Sequence, residues 1–232
     1  MRALVVAPHP DDEILGAGGV MARLIAEGSE LYVVIVTKGT EPMFSREGTI
    51  QCRKDARAAH ELLGVRETEF LDLPAALLDT VPHSELNSAI EGAIARIRPD
   101  VLFVPFPGDI HLDHRLVFES VMVACRPNGQ AVPRSIYAYE TLSETNWNAP
   151  GLYSNFAPNV FVDVSDFLER KLEALRLYQD ELRSFPNERS EEAVMALARH
   201  RGATVFCAAA EAFVLIRSIV QPGPPDALST SL

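Results

Sequence analysis

Apolar runs and amphipathic stretches alternate along the first two thirds of the chain, and the alternation predicts strands and helices in turn. Leu4-Val5-Val6-Ala7 is a short apolar run of the kind that forms a buried strand. Ile14 to Ala26, closed by Gly28, reads as a helix with a glycine stop. Leu31 to Thr37, nearly all β-branched or aromatic, predicts a second strand. A long amphipathic helix follows from about Arg46 to Leu63, with Gly64 ending it, and Glu69-Phe70-Leu71 is a short third strand. Ser84 to Arg98 is helical in pattern, with Ser84 as N-cap and Pro99 as stop. Val101 to Val104 is a fourth strand halted by Pro105 and Pro107, Ile110 to Cys125 a helix, and Ser135 to Tyr139 a fifth strand.

This βα rhythm with apolar strands implies an α/β fold: a mostly parallel sheet covered by helices on both faces. Right-handed crossovers then favour a Rossmann-like topology. In the last third, Asn159 to Val164 reads as a strand, Phe167 to Leu182 and Glu191 to His200 as helices, and Glu211 to Ile219 as a final strand. With no internal repeat and no linker, residues 1–220 are expected to form one domain, followed by a loose proline-rich tail from Gln221.

A length of 232 residues with 47% hydrophobic content suits one soluble domain with a full core. The net charge of -11 argues against nucleic acid or an anionic membrane as the main partner. Cys52, Cys125 and Cys207 are widely spaced, so a disulfide framework or thiolate metal site is not expected, and they read as small core fillers. No secretory signal and no apolar stretch of the ~18 residues needed to span a bilayer is read in the sequence. These features predict a cytoplasmic enzyme with a small-molecule substrate. A homo-oligomer remains compatible with them.

The chemistry concentrates where strands end. His9-Pro10-Asp11-Asp12-Glu13 leaves the first strand, because Pro8 and Pro10 make its continuation costly. His111-Leu112-Asp113-His114 follows the fourth strand and its Pro105-Pro107-Gly108 loop. If those strands are neighbours, both loops meet at the crevice where open α/β sheets bind ligands. Two histidines and one carboxylate, with a position open for water, make a catalytic zinc ligand set. The same set also suits Fe²⁺. Spacing alone does not separate Asp11 from Asp12, or His111 from His114.

The two motifs together resemble the LmbE-like, or PIG-L, family of zinc-dependent N-deacetylases. Gly16, Gly18 and Gly19, the helix Arg53 to Leu63 with Gly64, Lys171 to Gln179, and Ala210-Glu211-Ala212-Phe213 extend the resemblance over most of the chain. The resemblance implies that His9, Asp12 and His114 bind zinc and that Asp11 is the general base. It also implies that His111 stabilises the oxyanion or acts as general acid. Asp113 is then expected behind His111, holding it protonated or oriented. Glu13 is expected to cap the following helix. Arg53 resembles the family's substrate-binding arginine. Tyr139 and Glu140 leave the fifth strand at the correct edge to touch substrate, and Trp147 and Tyr153 could stack on a sugar ring. His200 is a weaker candidate, while His60 and His83 read as surface residues.

The function implied is removal of an acetyl group from an N-acetylated amino sugar, such as an N-acetylglucosamine conjugate. A zinc amidase acting on a non-sugar N-acyl conjugate is the first alternative. A nucleotide-binding Rossmann-like module is the second, and the first turn argues against it: two carboxylates there would repel a pyrophosphate.

Overall fold

The computed structural model describes residues 1–127 and 132–220, so the expected tail from Gln221 lies outside the described residues. The strands are β1 (Arg2–Ala7), β2 (Glu30–Lys38), β3 (Glu67–Pro74), β4 (Val101–Pro105), β5 (Ser135–Tyr139), β6 (Val160–Asp163) and β7 (Ala210–Ser218). The helices are α1 (Asp12–Ala26), α2 (Arg46–Leu63), α3 (His83–Ile97), α4 (Leu112–Ala124), α5 (Leu168–Leu175) and α6 (Glu191–Thr204). All seven strands join one sheet in the order β3-β2-β1-β4-β5-β7-β6. β1 to β5 are parallel, while β7 runs antiparallel to both β5 and β6.

Side-chain alternation divides the core between the two faces of the sheet. Ala3, Val5 and Ala7 of β1 pack with Ile14 and Met21 of α1, Ala56 of α2 and Leu172 of α5. Leu4 and Val6 point the other way, into a second cluster with Leu86 and Ile90 of α3 and Val117 and Val121 of α4. The fold is therefore the α/β, Rossmann-like sheet with helices on both faces that the rhythm predicts. Among the described residues, no helix is long and apolar enough to cross a membrane.

Some boundaries differ from the sequence reading. α3 begins at His83 with Pro82 in the cap position, so Ser84 is not its cap. α4 begins two residues after Ile110, and His111 is itself the N-cap. α5 ends at Leu175, well short of Leu182, because the chain there tightens into turns in which Tyr178 N–H donates to the Leu175 carbonyl.

Three glycines of α1 admit close neighbours. A Cβ on Gly16 would lie 2.2 Å from the Tyr139 ring, one on Gly18 would meet Lys171, and one on Gly19 would meet Val164 and Glu211. Lys171 Nζ donates to the Leu15 carbonyl (2.7 Å) and to Glu211 Oε1 (2.6 Å). Glu211 in turn accepts from Gly19 N–H (2.9 Å) and Val20 N–H (2.7 Å). A buried ion pair thus clamps the helix that starts in the histidine-aspartate motif. Gly16→Ala is expected to lower stability by about 1–3 kcal/mol, since overpacking against a fixed ring forces strain. A thermal melt unchanged from the parent protein would refute this.

Candidate active site

β1 and β4 are hydrogen-bonded neighbours in the centre of the sheet, with the strand order reversing between them. Their C-terminal ends therefore open onto one crevice, and the two motifs meet there. The first turn is sharp: Asp11 lies in the left-handed region with φ 104°, and α1 begins at Asp12. Successive carboxylates consequently point in different directions. The N-terminal dipole of α1 favours the negative charge of Asp12 and Glu13 in its first turn.

Three side chains converge at the base of the crevice. His9, Asp12 and His114 each offer a ligand atom, all within 4.8 Å of one another, and this group could hold a metal ion. Asp12 Oδ2 is 3.2 Å from His9 Nδ1 and 3.2 Å from His114 Nε2. The far nitrogen of each imidazole is held by another carboxylate. His9 Nε2 bonds Asp113 Oδ2 at 3.0 Å, and His114 Nδ1 bonds Asp109 Oδ2 at 2.8 Å. Asp109 is itself fixed by the Thr145 hydroxyl, which donates to its Oδ1 at 2.6 Å.

This donor set fits a divalent cation. His114 Nε2 and Asp12 Oδ1 are buried and have no hydrogen-bond partner among the described residues, a costly state for polar atoms unless something else engages them. A carboxylate behind each imidazole leaves the opposite nitrogen free to ligate. Electrostatics agrees. Burial disfavours charge on His114, yet Asp12 and Asp109 raise its pKa to about 10. His9 is likewise opposed by burial, but its bonds to Asp113 and its closeness to Asp12 raise it to about 9. Burial would lift Asp12, and the two imidazoles instead hold it well below the usual carboxylate range. The carboxylates thus draw positive charge into the site, and a metal ion would supply it in place of protons.

The other motif residues stand beside this group. The His111 ring is 4.5 Å from that of His9 and 5.4 Å from that of His114. Its Nδ1 accepts from the Asp113 backbone N–H at 3.1 Å, and burial with two neighbouring imidazoles lowers its pKa to about 4. An Nδ1 that accepts leaves Nε2 to carry the proton of the neutral ring. Asp113, expected to hold His111 protonated or oriented, makes the bond to His111 through its backbone N–H, while its carboxylate is engaged by His9 Nε2 and by Ala76 N–H at 2.7 Å.

Asp11 is buried, which raises its pKa well above the usual carboxylate range. Arg189 opposes the rise, while Asp12, Glu181 and Glu13 add to it. Arg189 Nη1 donates to Asp11 Oδ2 at 2.7 Å. Glu13 is not simply a helix cap. Its Oε2 accepts from Asp11 N–H at 3.1 Å, and its Oε1 meets the Tyr178 hydroxyl at 2.5 Å and His60 Nε2 at 3.1 Å. His60, expected on the surface, is buried, and its Nδ1 bonds Thr68 Oγ1 at 2.8 Å.

A cavity of about 550 Å³ opens above the group, with His9, Asp11, His111, Glu144 and Arg189 among its lining and Phe44, Cys52 and Arg53 on its far wall. That volume is ordinary for a small-molecule site. Arg53 lines this cavity, held by Asp72 and lying over the Phe70 ring at 4.2 Å. Cys52 is half-buried in this wall rather than in the core.

Two substrate candidates are not in this cavity's lining. Tyr139 is fully buried, packs over Gly16 and donates its hydroxyl to the Val6 carbonyl at 3.0 Å. Glu140 is paired in a bidentate fashion with Arg201 at 2.8 and 2.6 Å. Trp147 and Tyr153 are exposed, the first donating to Glu188 at 2.8 Å and the second lying under Arg115 at 4.9 Å. His200 is exposed on α6. Asp109, Glu144 and Arg189 were not singled out from the sequence. For Asp109 a signal existed, since it lies two residues before His111 in the same strand-exit loop.

A family model described as PIG-L: GlcNAc-PI de-N-acetylase matches residues 4–125. The chain is 32% identical over 185 residues to "Uncharacterized deacetylase YaiS" of Escherichia coli (strain K12), covering 76% of this chain and 89% of that one. It is 28% identical over 200 residues to "Diacetylchitobiose deacetylase" of Thermococcus kodakarensis, covering 81% of this chain and 71% of that one. Among solved structures, N,N'-diacetylchitobiose deacetylase from Pyrococcus horikoshii superposes with a TM-score of 0.73 at 26% identity, covering 93% of this chain and 83% of that one.

Proposed function

The chain belongs to the PIG-L family and is a deacetylase by that membership; from this premise we propose that it is a zinc-dependent hydrolase that removes the acetyl group from an N-acetylated amino sugar. The observation that carries the reading is the buried His9, Asp12 and His114 group, each imidazole backed by a carboxylate, beneath a cavity of small-molecule size. Relatives named for diacetylchitobiose and for glucosaminyl-inositol substrates support the sugar. A cytoplasmic location belongs to the same reading.

In this reading His9, Asp12 and His114 hold the ion. When bound, zinc supplies Lewis acidity, polarising the scissile carbonyl and acidifying water. Asp11 takes the proton of the attacking water at its carboxylate. His111, neutral and protonated at Nε2, donates a hydrogen bond to the oxygen that gains charge as the C–O bond forms. Asp11 then returns the proton to the departing nitrogen as the C–N bond breaks, giving the amine and acetic acid, whose remaining proton passes to the amine to leave acetate and the ammonium form. Arg53, on the far wall, orients sugar hydroxyls.

Chelation followed by restoration tests the reading. Protein stripped of metal should release no acetate from N,N'-diacetylchitobiose, and stoichiometric Zn²⁺ should restore release. Activity untouched by complete metal removal would overturn the metal assignment. Hydrolysis of N-acetyl amino acids with none of N-acetylglucosaminyl compounds would overturn the sugar assignment.

A further inference from the structure

We infer that Arg189 is a positioning residue for the reaction: it fixes the Asp11 carboxylate with one oxygen held and the other turned to the reacting atoms. The inference rests on the reading of Asp11 as the base. Arg189 comes from a part of the chain remote from both motifs, in the turn that precedes α6. That turn is pinned on each side. Arg183 N–H donates to the Arg189 carbonyl at 3.1 Å, and Ser190 caps α6 by accepting from Ala193 N–H at 3.2 Å. The guanidinium is aimed by Ser143, whose hydroxyl accepts from Arg189 Nε at 2.9 Å.

From this mount the short bond goes to Asp11 Oδ2, at 2.7 Å. Glu181 and Glu144 stand farther off, at 3.4 and 3.5 Å, and complete a ring of acceptors around the planar fork. Asp11 Oδ1 makes no hydrogen bond among the described residues, and Asp11 lines the cavity. Asp12, Glu13 and Glu181 each add negative charge around Asp11. Without the guanidinium, repulsion from these would turn the carboxylate away from Asp12 and from the place where water must be met. Reaction geometry is sensitive to such a shift, with a misplacement of ~1 Å costing on the order of 10²-fold in rate.

The test compares Arg189→Ala and Arg189→Lys with the parent protein, all loaded with zinc and assayed on N,N'-diacetylchitobiose. Arg189→Ala is expected to lower kcat by about 10²-fold, with KM within about two-fold and zinc content unchanged. Arg189→Lys, which keeps the charge and loses the fork, should fall between the two. Guanidinium ion at ~20 mM, far below denaturing concentrations, should restore several-fold activity to Arg189→Ala and none to the parent. A crystal structure of Arg189→Ala should show the Asp11 carboxylate rotated from its present place. An Asp11 that stays in place, a raised KM with kcat unchanged, or a lowered melting temperature without guanidinium rescue would each overturn the inference. A parent protein that releases no acetate would instead refute the proposed activity, and the position of Asp11 in the Arg189→Ala structure would still judge Arg189.

Discussion

Asp11→Asn should bind zinc as the parent protein does and hydrolyse substrate about 10²–10⁴-fold more slowly, the range that a positioned general base contributes. Asparagine is the informative replacement because Asp11 occupies a left-handed backbone conformation, φ 104°, which asparagine adopts more readily than alanine. The amide keeps an oxygen for Arg189 and leaves the Glu13 bond to the backbone N–H intact. What it lacks is an acceptor basic enough to take a proton. The measurement is kcat together with metal content after dialysis. Loss of metal along with loss of rate would place Asp11 among the ligands, and a rate near that of the parent would remove it from the reaction.

His114→Ala is expected to lose metal and turnover together. Its imidazole is fully buried between Asp12 and Asp109, so no water-exposed side chain can take its place without rearrangement. Removing even a carboxylate behind a ligating histidine lowers metal affinity by ~10–100-fold, and removing the ligand itself should do more. Two buried carboxylates would also lose their partner, at a cost of about 3–5 kcal/mol for breaking such a pair. Far-UV circular dichroism should therefore establish that the variant is folded before metal is titrated. A folded His114→Ala that retains stoichiometric zinc and differs from Asp11→Asn in nothing would undo the division of roles between ligand and base.

What the sequence disclosed followed from local rules. α2 runs from Arg46 to Leu63 as its periodicity and Gly64 predict, because an amphipathic face and a left-handed glycine stop are both written in consecutive residues. The meeting of the His9 and His111 loops was legible for a related reason: a parallel sheet of this order makes β1 and β4 neighbours. Tyr139 shows where such rules end. It lies at the exit of β5, yet strand parity places it with Tyr137 on the α1 side, where Gly16 leaves room for its ring, while Ile136 and Ala138 face the other cluster. Glu140 was lost to Arg201 in the same way. Arg189, His60 and Tyr178 were missed because each acts through a hydrogen bond to a residue far away in sequence, and such a bond has no period and no neighbouring signal.

The clamp on α1 also sets an order in time. The ribosome has made every candidate ligand and the candidate base once His114 is added, and the stretch matched by the family model already holds them all. The groups that seat them are synthesised later. Thr145 steadies Asp109, Lys171 reaches the Leu15 carbonyl, Tyr178 meets Glu13, and Arg189 takes Asp11. Glu211, which receives Gly19 and Val20, lies in the last strand. Folding during synthesis proceeds from the N-terminus, so the nascent chain displays its histidines and aspartates before it can arrange them. The earliest residues made are thus among the last to be set.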